Sequence, residues 1–171
     1  MNRYTNTFQK CQKENRIAFI PFAVAGDPDE SLSETIFKTY IDNGADVLEI
    51  GYPFSDPMAD GPINQRAAQR AIEAGLNYRS FFSLIKKLRA YAPQIPFGIL
   101  LYANTAHYNG YNDFCKKAAD AGIDSLLIAD MPPEEADEFV SIAHAQKLQT
   151  VFIVSELSSS ERIKTICSLT D

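Results

Sequence analysis

The sequence predicts a parallel α/β fold, and three observations carry that expectation. Short apolar runs recur that are near-continuous rather than alternating, as strands buried on both faces require. Helical segments with recognisable ends lie between them. A weak internal repeat, Gly44-Ala45-Asp46-Val47-Leu48 against Gly122-Ile123-Asp124-Ser125-Leu126, is offset by 78 residues, or two units of 39, as serial strand–helix units would be.

An N-terminal helix precedes the first run, Ile17-Ala18-Phe19-Ile20. Asp27-Pro28 then reads as a helix cap with proline at the first position. Leu32, Ile36 and Tyr40 fall on one face of that helix, and Gly44 stops it. The second run is Val47-Leu48-Glu49-Ile50. Asn64 is a candidate cap for a segment through Ala67, Ala68, Ala71 and Ile72, ending at Gly75. A further helix carries Phe81, Leu84, Ile85 and Leu88 and stops before Pro93; its Lys86-Lys87 and Arg89 read as a solvated face. The third run is Phe97 to Tyr102. A helix from about Asn112 to Gly122 buries Phe114, Ala118 and Ala121. The fourth run is Leu126-Leu127-Ile128, followed by a helix opened by Pro133-Glu134-Glu135, with Ala136, Phe139, Val140 and Ala143 inward and His144 on its solvated face. The fifth run is Val151-Phe152-Ile153-Val154. Ser158-Ser159-Ser160-Glu161 is a capping-box pattern, Ser158 with Glu161, before Ile163, Ile166 and Cys167.

Composition narrows the function. The 171 residues carry 16 Lys+Arg against 22 Asp+Glu, a formal charge of −6, which argues against a nucleic-acid binder. No apolar run approaches the ~20 residues of a membrane span, and the first residues lack a signal-peptide core. The 3 cysteines, Cys11, Cys115 and Cys167, fit neither a disulfide framework nor a metal-binding pair. A reducing cytoplasm is the simplest setting, and no metal is expected. Length and even composition read as one domain over residues 1–171.

Two architectures share this alternation. A doubly wound sheet usually has a glycine-rich phosphate loop after its first strand, and Pro21 to Gly26 is not one. A (β/α)8 TIM barrel places its chemistry on the loops after the strands, and the loop after the second run is long and rich in Pro, Asp and Gly. That reading fits better, but a barrel needs ~250 residues and eight strands. The expectation is an incomplete barrel of about five parallel strands and an N-terminal helix.

The loop and the strand before it carry the candidate chemistry. Glu49 sits inside an apolar strand, on the same face as Val47 and Gly51. An inward carboxylate near a strand's C-terminal end is an acid/base candidate, because desolvation raises its pKa. A structural Glu paired with Lys or Arg is the alternative. Asp60 follows eleven residues later across a proline-stiffened loop, where Asp56 and Asp60 also read as turn-forming residues.

The run Glu49-Ile50-Gly51-x-Pro53-Phe54-Ser55-Asp56-Pro57-x-Ala59-Asp60-Gly61-Pro62 closely resembles the signature of the tryptophan synthase alpha chain family. Pro21-Phe22, Ala25-Gly26-Asp27-Pro28, Tyr102-Ala103-Asn104, Gly122-x-Asp124-x-Leu126 and Ala129-Asp130-x-Pro132 extend the resemblance from about residue 16 to the end. It implies a lyase of tryptophan biosynthesis, which cleaves indole-3-glycerol phosphate to indole and glyceraldehyde 3-phosphate by a retro-aldol reaction. By the same resemblance Glu49 moves the protons and Asp60 accepts from the indole N–H. Phe22, Leu100, Leu127, Ala129 and Ile153 surround the ring. No cofactor is implied for this chain. The implied partner is a pyridoxal-phosphate beta chain in an alpha2beta2 heterotetramer. It would meet the loop Pro53 to Asp60, including Asp56 and Pro57, and the loop Asn104 to Asn109, where His107 has a surface or contact role. The family's phosphate site and mobile lid would follow Asp171, so negligible activity is expected of these 171 residues alone. Two alternative readings are a non-catalytic regulator of a beta chain and another phosphosugar barrel enzyme.

Overall fold

A computed structural model describes residues 2–171. Helix α1 (Arg3–Lys13) comes first, then β1 (Phe22–Val24), α2 (Glu30–Asp42), β2 (Leu48–Gly51), α3 (Pro62–Glu73), α4 (Tyr78–Tyr91) and β3 (Phe97–Leu101). Next come α5 (Ala103–Asn109), α6 (Tyr111–Ala121), β4 (Ser125–Ile128), a 3₁₀ turn (Pro133–Glu135), α7 (Asp137–Ala145), β5 (Gln149–Val151) and α8 (Ser160–Leu169). All pairings are parallel, in the order β1-β2-β3-β4-β5, so β1 and β5 are free edges.

The core fills the space between the sheet and its outer helices. Leu48, Ile50, Ile99, Leu101, Leu126 and Ile128 face Phe37 of α2, Phe81 and Leu84 of α4, Phe114 of α6 and Phe139 of α7. The opposite, concave face carries the other alternate set. Phe22, Glu49, Gly98, Ser125 and Gln149 pair in register across one row, and Gly51, Leu100, Leu127 and Val151 across the next. Helix α1 closes this face at one end through Tyr4, whose hydroxyl lies 2.7 Å from Ser125 Oγ. Gly98 makes room for that pair, since a Cβ there would come within 2.8 Å of Ser125 Oγ.

The repeat in the sequence is a structural device. Gly44 and Gly122 turn the chain out of α2 and α6 at φ +89° and +94°. The aspartate two residues on then grips the residue opposite it with its whole backbone–carboxylate unit. Asp46 N–H donates to Phe19 O at 2.8 Å and its carboxylate accepts from Phe19 N–H at 2.9 Å. Asp124 does the same to Phe97, at 2.9 and 2.8 Å. Asp171 repeats it on Thr150, at 3.0 and 2.9 Å, without a glycine before it.

Several local expectations shift. The first run forms no ladder of its own; Ile17 is 90% exposed and β1 begins at Phe22. Pro21 has no N–H to donate; its carbonyl accepts from Glu49 of β2, and that of Phe19 from Asp46 and Val47 just before β2. Asp27 and Pro28 are joined by a cis peptide and do not open α2; Asp29 caps it, accepting from Leu32 N–H at 2.9 Å. The buried face is accordingly Ser33 and Phe37, with Leu32 exposed. Helix α3 starts at Pro62 with Gly61 as cap, which leaves Asn64 inside it. Ser159, not Ser158, caps α8, and Ser158 turns back to Ser155. Strand β5 ends at Val151, where β4 stops offering partners, so Ile153 is 61% exposed.

Arg89 departs furthest from expectation. It is half-buried and lies 3.9 Å from the Phe97 ring centroid. Its guanidinium donates to the carbonyls of Gly122, Ala92 and Ile95 and to Asp124 Oδ2. Helix α5 was expected as loop, because its cap is distant in sequence: Asp130 Oδ1 accepts from Ala103 N–H at 2.7 Å.

Candidate active site

Glu49 lies on the concave face, in a 230 Å³ cavity that Tyr4, Ile20, Val47, Ser125, Leu127 and Val151 also line. Among the described residues its carboxylate has no ion-pair partner. Burial among these apolar walls pushes its pKa up from the ordinary 4.5. Within these residues Glu49 is an acid without a cation. Tyr4, beneath it, is pushed up to about 12, chiefly by burial. No residue signal marked Tyr4 or Ser125; only the register of α1 under the strands brings them here.

Phe22, Leu100 and Leu127 join Glu49 on this face, each half-buried. The Phe22 ring lies over Gly51, where a Cβ would sit 2.8 Å from it. Ala129 and Ile153 are placed elsewhere. They line a second cavity of 440 Å³ at the C-terminal ends of β4 and β5, with Pro132, Phe152, Ser155 and Arg162. Of the expected apolar group, Leu127 lines the Glu49 cavity, Ala129 and Ile153 line the second, and Phe22 and Leu100 line neither.

Asp60 is held at the C-terminal end of the strands by Tyr102. Tyr102 Oη donates to Asp60 Oδ2 at 2.8 Å and accepts from Ala59 N–H at 2.9 Å. Its ring is 2% exposed and stacks on Phe54 with centroids 5.1 Å apart. Burial, then the Asp60 hydrogen bond, push the Tyr102 phenol up to about 12. Tyr102 continues the alternation of Gly98 and Leu100 in extended backbone, four residues above the partner of Glu49. At ~3.3 Å per residue, the two anchor points are about 13 Å apart along the strand. Leu100 lies between them. That Gly98-Leu100-Tyr102 alternation was the available signal. Glu49 thus sits in the first row of the ladder, level with Ser125 and Gln149, and Asp60 lies beyond the C-terminal end of β3, on the side that Tyr102 shares with Gly98 and Leu100.

The remaining candidates lie on the rim. Asp56 and Asn104 are exposed, and Pro57 and Asn109 half-exposed. Pro53 is the exception: it is buried, so it shapes the loop and offers no surface. His107 is exposed on α5, edge-on to Tyr111, and His144 is exposed and 2.8 Å from Asp171 Oδ2. Among the described residues no His, Cys, Asp and Glu cluster is arranged to hold a metal ion, and no helix is long and apolar enough to cross a membrane.

The tryptophan synthase alpha chain family model matches residues 8–171. The tryptophan synthase alpha chain of Francisella tularensis (strain WY96-3418) is 46% identical over 168 residues, covering 98% of this chain and 62% of the relative. That of Shewanella amazonensis is 44% identical over 171 residues, covering 99% and 64%. The chain thus spans under two-thirds of the length of these curated relatives. The alpha subunit structure from Legionella pneumophila superposes with a TM-score of 0.96 at 33% identity, over all of this chain and 65% of its own. The tryptophan synthase complex of Pyrococcus furiosus gives 0.85 at 34% identity, over 90% and 62%. The five-stranded open sheet is an incomplete (β/α)8 barrel of this type. By family model, sequence identity and fold together, the chain belongs to the tryptophan synthase alpha chain family.

Proposed function

We propose that the whole protein is a lyase of tryptophan biosynthesis that splits indole-3-glycerol phosphate into indole and glyceraldehyde 3-phosphate. The observation that carries this is Glu49: an acid without a cation, its pKa raised by burial, on the apolar concave face of the sheet. The bond to break joins indole C3 to the glycerol chain. A proton added at C3 turns the ring into an electron-poor leaving unit. Loss of the proton from the adjacent glycerol hydroxyl then forms the aldehyde as the C–C bond breaks. A carboxyl group with a raised pKa can serve both transfers near neutral pH. Asp60 accepts from the indole N–H and stabilises the positive charge that develops on the ring. Leu100 and Leu127 supply the flat apolar wall between the two, with Phe22 beside them.

Neither transfer calls for an organic cofactor, and none is proposed for this chain. The proposed partner is a pyridoxal-phosphate beta chain in a cytoplasmic alpha2beta2 assembly, meeting the loop between β2 and α3 together with α5. That rim exposes Met58 at 88% and Tyr108 at 86%, apolar surface of the kind a protein partner covers. The test uses the full-length protein with indole-3-glycerol phosphate. Glu49→Gln and Asp60→Asn are each expected to lower turnover by about 100-fold or more with the fold intact by circular dichroism. Wild-type turnover in either variant removes that residue from the mechanism. These 171 residues alone are expected to release no indole above background, because the concave face is open to water at both sheet edges.

A further inference from the structure

The loop between β2 and α3, residues 52–61, is only half exposed and without regular structure, and it carries Asp60. Its hydrogen bonds within itself and to the start of α3 are short-range: Met58 N–H to Asp56 O, Asp60 N–H to Pro57 O, and Gln65 to the carbonyls of Pro57 and Asp60. Such bonds give the loop a shape but do not fix it relative to the sheet. Among the described residues, the hydrogen bonds that tie residues 53–61 to a distant element all meet on one atom, Tyr102 Oη.

That atom has a single proton. Donating it to Asp60 Oδ2 leaves the oxygen's lone pairs for Ala59 N–H, so both bonds exist together only with this orientation. Tyr102 is itself anchored from outside the loop. Its ring is buried, and its backbone joins β3 to α5, whose first N–H is capped by Asp130. Asp60 Oδ1, in contrast, has only a 3.4 Å contact with Asn64 Nδ2 and is free for another donor.

We propose that Tyr102 is a positioning residue: it ties Asp60 to the end of β3 and turns Oδ1 toward the ligand. This rests on the assignment of Asp60 above. Tyr102 need not touch substrate; its effect passes through Asp60.

The experiment compares Tyr102→Phe, Asp60→Asn, the double variant and Phe54→Leu in the full-length protein, with amide hydrogen exchange on the same samples. Tyr102→Phe is expected to lower kcat about 10- to 100-fold with KM within about threefold. It should also speed exchange of the Ala59 amide by about tenfold or more. In the Asp60→Asn background the same change is expected to cost at most about twofold more, since one interaction cannot be lost twice. Phe54→Leu, which loosens the stack but keeps the hydroxyl, should cost less than Tyr102→Phe. Wild-type kcat in Tyr102→Phe, an undiminished loss in the Asp60→Asn background, or a larger loss in Phe54→Leu would each overturn the proposal. Wild-type turnover in Asp60→Asn would overturn the assignment of Asp60 itself and the tether with it. The Tyr102→Phe results leave that assignment standing.

Discussion

At the N-terminal end of the strands, Asp46 and Asp124 are matched to arginines. Arg16 grips Asp46 with contacts of 2.6 and 2.8 Å, and Arg3 and Arg89 approach Asp124 at 2.7 and 2.8 Å. One row further along, on the concave face, Glu49 has no cation among the described residues, and beyond the C-terminal end Asp60 has a phenol in place of one. A charge neutralised in place holds elements together. A carboxylate left partly unmatched costs stability and is available for chemistry. This open sheet carries both kinds: Asp46 and Asp124 are matched to cations at the N-terminal end, while Glu49 on the concave face and Asp60 beyond the C-terminal end are not.

The contrast can be broken by removing an acid of either kind. The largest effect is expected at Asp124, which a single Ala substitution strips from Arg3, Arg89 and the Phe97 N–H at once. Asp124→Ala should destabilise by about 3 kcal/mol in urea unfolding, because Arg89 is left half-buried without its counter-charge. Asp46→Ala should cost less, about 1–2 kcal/mol, since Arg16 can return to solvent.

The pH dependence sharpens the same point with opposite signs. Hydrogen bonds from Arg16 hold the Asp46 carboxyl down at about 2, against an ordinary 3.8. Its contribution is therefore full above the ordinary value and lost as pH falls through about 2. The stability gap between wild type and Asp46→Asn should close over that window. Glu49 has the reverse shift, so its ionisation works against folding as pH rises through its raised value. Glu49→Gln should accordingly unfold at higher urea than wild type at pH 7, by the smallest margin of the series. That advantage should vanish below the ordinary 4.5. Equal stability at every pH would mean that Glu49 is not desolvated.

Much of this was legible before any coordinates. The apolar runs marked β2, β3 and β4 almost to the residue, because a strand buried on both faces needs nothing but apolar side chains. The two edge strands were misplaced, by Pro21 on one side and the end of β4 on the other, both matters of who pairs with whom. Glu49 stood out as a charge in a strand, and Asp60 through its signature loop. The partners that define their surroundings did not. Tyr4 and Ser125 are 121 residues apart, Tyr102 and Asp60 42, and no local pattern encodes such meetings. Arg89 looked like one of three cations on a wet helix face for the same reason: the carbonyls it satisfies come from the turn at Gly122 and the segment before β3.

A ¹³C titration of the side-chain carboxyls of Glu49 and Asp46 in one sample tests the contrast between the unmatched and the matched acid most directly. Glu49 should titrate above its ordinary 4.5 while Asp46 titrates near 2. A Glu49 midpoint at or below 4.5 would show a matched or hydrated carboxylate, and the acid at the centre of the proposed chemistry would be gone.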